Sequence, residues 1–104
     1  MNPFGGDPRK LMKQLQQAQE RMQQEIAALR IEATAGGGMV RVVMTGEKQL
    51  DSLTIDPEAV NKDDVEMLQD LVLAAVNEAA RKVDDAVKEK VASLTGGIKI
   101  PGLT

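Results

Sequence analysis

The apolar residues of this chain keep a helical period, abandon it for a strand period, and then return to it, and that double switch limits the fold more than any other feature. Leu11, Leu15, Ala18, Met22, Ile26 and Leu29 recur at spacings of three and four and fall on one stripe of a 3.6-residue helix. Asp7-Pro8 supplies the start signal, a side-chain acceptor followed by proline in the first turn, so a helix is predicted from about Pro8 to Ile31. From Ile31 the residues turn β-branched and glycine-rich. Ile31–Ala35, Met39–Thr45 and Gln49–Asp56 read as three strands, with Gly36-Gly37-Gly38 at the first junction and Pro57 closing the third strand. Gly46-Glu47 is expected to form a tight hairpin turn with glycine in its first position. A second helix, capped by Asp63 or Asp64, runs to about Leu94 on a stripe of Val65, Leu68, Leu71, Val72, Val76, Ala79, Val83, Val87 and Leu94.

The expected fold class is therefore α+β: a helix, a three-stranded antiparallel meander and a long helix, forming one domain over residues 1–104. Residues 1–6 and 95–104 read as flexible ends, the latter alternatively as a short capping segment. In the second strand Val40, Val42 and Met44 point to one face and Met39 and Val43 to the other, so both faces carry apolar groups. The chain's own helices can cover one face; the other needs a partner. Strands of six or seven residues span about 20 Å, whereas helices of about 24 and 32 residues span about 36 and 48 Å, so the helices overhang the sheet with their apolar stripes. A homodimer is predicted, its body built from the two meanders through Met39, Val40, Val42, Val43, Met44, Leu53 and Ile55, its arms from projecting helices.

Composition decides what such a dimer can do. The 104 residues include no Cys, His, Trp or Tyr, and Phe4 is the sole aromatic. Disulfides, thiolate and histidine catalysis, zinc sites of nitrogen and sulfur ligands, and base stacking on aromatic rings are all removed with those side chains. Gly36-Gly37-Gly38 lacks the lysine and hydroxyl of a phosphate loop and leads into a strand. Asp63-Asp64 and Asp84-Asp85 diverge by about 100° on a helix and suit capping and solvation better than a metal. The methionines fill core gaps in a chain without rings. No enzyme, cofactor, metal or small-molecule substrate is expected. No run approaches the roughly 18 apolar residues of a membrane span and the first residues hold no apolar signal core, which points to the cytoplasm and away from membranes.

The net charge of −3 argues against nucleic acid until it is resolved along the chain. Residues 1–30 carry five bases against three acids, residues 31–80 three against ten, and residues 81–104 five against three. Two basic ends flank an acidic middle. On the first helix Arg9, Lys13, Gln17, Glu20 and Gln24 lie opposite the apolar stripe with Lys10 and Arg21 at the margin; on the second, Arg81 and Lys88 lie two turns apart with Lys82 nearer the side. The plain reading of these faces is a solvated surface with helix pairing.

Several segments also match a known family in order and spacing. Leu11-Met12-Lys13-Gln14 with its glutamine-rich continuation, Ala35-Gly36-Gly37-Gly38-Met39-Val40, Thr54-Ile55-Asp56-Pro57, and Glu66-Met67-Leu68-Gln69-Asp70-Leu71-Val72 through Ala74-Ala75-Val76-Asn77-Glu78-Ala79 resemble the YbaB/EbfC family of bacterial nucleoid-associated proteins. The resemblance covers nearly the whole chain. It implies a tweezer-like homodimer that binds double-stranded DNA without enzymatic activity, serving the nucleoid and possible gene regulation, with DNA contacts on the terminal helices. Carried onto this sequence, the candidate DNA-binding residues are Arg9, Lys10, Lys13, Gln17, Arg21, Arg81, Lys82 and Lys88, making phosphate and shape contacts with little base reading. The rival reading is a non-enzymatic adaptor dimer that binds another protein through the same projecting helices.

Overall fold

A computed structural model of the chain describes residues 7–94, so the expectations for residues 1–6 and 95–104 lie outside the described residues. Helix α1 (Pro8–Ala27) leads into strands β1 (Arg30–Ala35), β2 (Val40–Thr45) and β3 (Leu50–Ile55); a single 3-10 turn at Pro57–Ala59 precedes helix α2 (Val65–Leu94). The strands form an antiparallel sheet in the order β1-β2-β3. This is the expected helix, meander and long helix.

Local chemistry sets the element ends. The Asp7 carboxylate accepts the Arg9 backbone N–H at 3.0 Å, and the Asp64 carboxylate accepts the Met67 N–H at 3.2 Å, so Asp64, not Asp63, caps α2. The first helix stops at Ala27, four residues before the expected Ile31. Sheet pairing overrides its period there: Arg30 opposes Thr45 in the β1–β2 ladder, and the Arg30 guanidinium donates to the carbonyls of Ala27 and Leu29 at 2.9 and 3.0 Å. The backbone groups that a longer helix would satisfy are satisfied by strand and side chain instead.

The β2–β3 turn differs from expectation in its chemistry. Lys48 N–H donates to the Thr45 carbonyl at 3.0 Å and Thr45 N–H to the Gln49 carbonyl at 2.8 Å, and the left-handed residue is Lys48, with φ 63°, not Gly46. That is a three-residue hairpin loop. Gly46 is needed for another reason, since a Cβ there would run into the carbonyl of Ile26 at the end of α1.

Registered pairs share a face, so Ile31, Ala33 and Ala35 of β1, Val40, Val42 and Met44 of β2, and Leu53 and Ile55 of β3 look the same way. Helix α2 lies across that face over β1 and β2. Ala33, Val40, Val42 and Met44 are buried against Ala75, Ala79 and Val83, the small alanines letting the helix settle close to the sheet. Two expectations change here. Helix α1 contributes no buried residue to the core, and the opposite sheet face is chiefly polar: Arg41 pairs with Glu32 at 3.2 Å and Arg30 with Asp51 at 3.4 Å, around half-buried Val43 and Met39.

The uncovered apolar area lies instead beside β3, which α2 approaches only at Ile55. Leu53 is 45% and Leu50 46% exposed. The long dimension of the molecule is 76 Å. Helices of 20 and 30 residues reach that length only when laid largely end to end, so α1 projects beyond the sheet.

Candidate nucleic-acid interface

Helix α1 displays its bases on a face whose outer turns hold no acid, the first being Glu20 beside Arg21. Between Pro8 and Gln19 the helix holds Arg9, Lys10 and Lys13 and no Asp or Glu. At 100° per residue Lys10, Lys13, Gln17 and Arg21 fall within an arc of about 80°, with Arg9 about 40° beyond it, and the rise from Lys10 to Arg21 is about 17 Å. All five are exposed, and none of the four bases has an ion-pair partner among the described residues. Helix stability does not account for them. The aligned peptide dipoles make a helix N-terminus positive, so cations in the first turns are placed where they cost the helix up to about 1 kcal/mol each. The same placement concentrates positive potential at the outer end of a projecting arm.

The α2 candidates are held differently. Arg81 Nη2 sits 2.6 Å from Glu78 Oε1, its Nε donates to Glu78 Oε2 at 3.2 Å, and its Nη1 lies 3.1 Å from Asp85 Oδ2. The hydrogen bond from Arg81 holds the Glu78 carboxyl below its usual range, and the same bond raises the guanidinium. Lys82 donates to the Glu32 backbone carbonyl at 3.2 Å, spanning from α2 to β1. Only Lys88 of this group is exposed with neither an ion pair nor a side-chain hydrogen bond among the described residues. The structure thus separates the eight predicted residues into a free basic face on α1, two α2 cations engaged within the protein over the sheet, and Lys88. It does not bring Arg81 and Lys82 beside the outer bases of α1.

The predicted dimer residues also divide. Val40, Val42 and Met44 are enclosed under the protomer's own α2, so a second copy cannot touch them in this fold; the face they occupy is filled from within the chain. Leu53 lies exposed on β3 and Ile55 half-buried at the edge of the core, whereas Met39 and Val43 lie half-buried on the opposite face. Sequence reasoning missed the groove beside β3, formed by Ile55, Leu68, Gln69, Val72, Leu73 and Val76. Its signal was Leu73, which is 61% exposed and broadens the α2 stripe by one residue at that level. Among the described residues no helix is long and apolar enough to cross a membrane.

Comparison with known proteins follows the same outline. The sequence profile of the YbaB/EbfC DNA-binding family matches residues 5–98. A nucleoid-associated protein of Acetivibrio thermocellus is 54% identical over 104 residues, covering 96% of this chain and 92% of its own length. One from Pelotomaculum thermopropionicum is 49% identical over 103 residues, covering 96% and 98%. Among solved structures, an uncharacterized protein, HP0035 from Helicobacter pylori, superposes with a TM-score of 0.70 at 22% identity, covering 83% of this chain and 90% of that one, and so shares the fold.

Proposed function

Because the chain belongs to the YbaB/EbfC DNA-binding family, whose profile spans residues 5–98, we propose that it binds double-stranded DNA as a homodimer, without catalysis, and serves nucleoid organisation and gene regulation in the bacterial cytoplasm. The observation that carries this reading is the basic face of α1, without ion pairs among the described residues: Arg9, Lys10, Lys13 and Arg21 on a projecting helix, with Gln17 able to donate beside them. Flexible cations on an exposed arm neutralise phosphates without reading bases, and nothing resembling a helix-turn-helix reader is present among the described residues. Lys88 is the α2 residue best placed to add to the contact. Arg81 and Lys82 contribute only after leaving Glu78 and the Glu32 carbonyl.

The homodimer reading rests on the uncovered apolar side of β3. Leu53, Ile55 and the groove residues Leu68, Val72, Leu73 and Val76 form a continuous apolar surface on a chain of 11.2 kDa, and pairing two copies there buries it twice and sets out two arms. Residues 1–104 act in this reading as one domain.

The test is a titration of duplex DNA into the purified protein at two salt concentrations. Affinity falls steeply with salt for the native chain, and the triple change Arg9→Ala, Lys10→Ala, Lys13→Ala flattens the log-log slope by about 0.9 for each phosphate that is no longer neutralised. Binding that is absent at low salt, or indifferent to the triple change, removes this reading. The adaptor reading keeps one specific support, the exposed Leu11, Met12 and Leu15 on the same helix. A protein partner held by those side chains leaves the salt slope near zero.

A further inference from the structure

The direction of the α1 arm depends on what holds its last turn. Only Ala28 and Leu29 link the helix to β1, and no element of the described chain packs along its outer turns. Three contacts meet at the inner end. The backbone of Gly46 abuts the Ile26 carbonyl, Lys90 Nζ of α2 lies 3.8 Å from Glu25 Oε2, and the Arg30 guanidinium reaches back over the link. The first is a fulcrum and the second a single long ion pair; the third joins several acceptors at once.

Arg30 opens β1, yet its Nη1 donates to the carbonyls of Ala27 and Leu29 at 2.9 and 3.0 Å while its Nε lies 3.4 Å from Asp51 Oδ2 on β3. A planar fork serves these acceptors together where an ammonium cannot, and the negative end of the helix dipole favours a cation there. Asp51 reaches this group through an irregularity of β3. Ser52 pairs with Val43 and Leu50 with Met44, so Asp51 is an extra residue with no opposite number in β2. Strict alternation from Ser52, which shares the polar face with Val43, would turn Asp51 toward α2; the bulge re-aims its carboxylate to the face that carries Arg30. Capping α1 requires the guanidinium alone. The bulged Asp51 adds a tie from the helix end to the far strand of the sheet.

We propose that Arg30, tied by Asp51, is a positioning residue that fixes the angle at which α1 leaves the sheet, and thereby where Arg9, Lys10, Lys13 and Arg21 stand. Its consequence for binding rests on the DNA reading. Arms already held at one angle meet phosphates without first losing freedom of swing, so duplex affinity depends on a residue that need touch no phosphate. The cations of α1 supply the attraction, and the Arg30–Asp51 tie supplies their placement.

The absence of cysteine makes the test clean, since an introduced pair of labelling sites has no competitor. Full-length chains carrying Gln16→Cys on the arm and Thr34→Cys on β1, both exposed positions, are spin-labelled and diluted with unlabelled protein, and the distance distribution is read by pulsed electron paramagnetic resonance. Arg30→Lys keeps the charge but not the fork, and Asp51→Asn keeps the cap but not the tie. Each widens the distribution at least twofold with helical content unchanged by circular dichroism. A distribution as narrow as the native one in either variant, or widening found only where helical content falls, overturns the proposal. Duplex titration gives the second readout. Removing an acid raises DNA affinity if charge alone matters, whereas Asp51→Asn lowers it at least threefold with the salt slope unchanged. Affinity that rises or stays constant overturns the positioning role in binding. A native chain that leaves duplex DNA unbound at low salt removes the DNA reading instead, and the label distances still decide the angle.

Discussion

Gly46 shows how one residue joins two elements. A Cβ at that position meets the Ile26 carbonyl, which is backbone and cannot swing aside, so Gly46→Ala must push the β2–β3 turn away from the end of α1. The expected cost is about 1–3 kcal/mol, read as a lower denaturant midpoint with an unchanged m-value. Glu78 and Arg81 act through charge. Arg81's hydrogen bond holds the folded-state Glu78 pKa below its unfolded value, so the pair's contribution is present at neutral pH and is lost as pH falls through and below the ordinary carboxylate range. Glu78→Gln removes that part of the acid dependence of stability. It also releases one side of Arg81, and in the DNA reading the salt slope steepens by up to about 0.9, the increment of one further neutralised phosphate. Val42 is 0% exposed under α2, and Val42→Ala costs about 2 kcal/mol in thermal or chemical unfolding.

The two helices divide the work between them. Helix α2 is committed to the sheet through Ala75, Ala79 and Val83 and spends most of its cations on acids or carbonyls; α1 buries nothing in the core, and its cations have no ion pair among the described residues. A charge reversal distinguishes stability from binding at this scale. Lys10→Glu places an acid at the positive end of the α1 dipole and raises or maintains helix stability by about 0.3–1 kcal/mol, while duplex affinity at low salt falls. Circular dichroism melting and a DNA titration on the same sample check both halves. The basic face was legible in the sequence because helical spacing alone places Lys10, Lys13, Gln17 and Arg21 on one side. The end of α1 was not, because the apolar period continues through Leu29 while the ladder from Arg30 to Thr45, joined from fifteen residues away, captures the backbone first.

For the whole molecule the decisive feature is the apolar side of β3. If the proposed homodimer forms there, Leu73→Glu leaves the protomer fold intact, since Leu73 is largely exposed within one chain, yet lowers the mass measured by light scattering to 11.2 kDa with helical content unchanged. A dimer that survives this change lies on another face. The need for a partner surface was readable from a short sheet with overhanging helices, but its location was not. Both faces of β2 carry apolar side chains in the sequence, and only the placement of α2 over β1 and β2 decides that Val40, Val42 and Met44 are enclosed and that Leu53 and Ile55 are left at the margin.

By itself the sequence determined the order and kind of the elements, the Asp7 cap of α1, and the segregation of charge into basic ends and an acidic middle, because periodicity, capping and charge are properties of neighbours along the chain. The tertiary structure alone decided where α1 stops, which sheet face is buried, and which cations remain free. Those outcomes depend on groups distant in sequence competing for the same backbone bonds, the same apolar area and the same carboxylates, as when Arg30 ends α1 while joining the sheet and Lys82 is drawn to the carbonyl of Glu32.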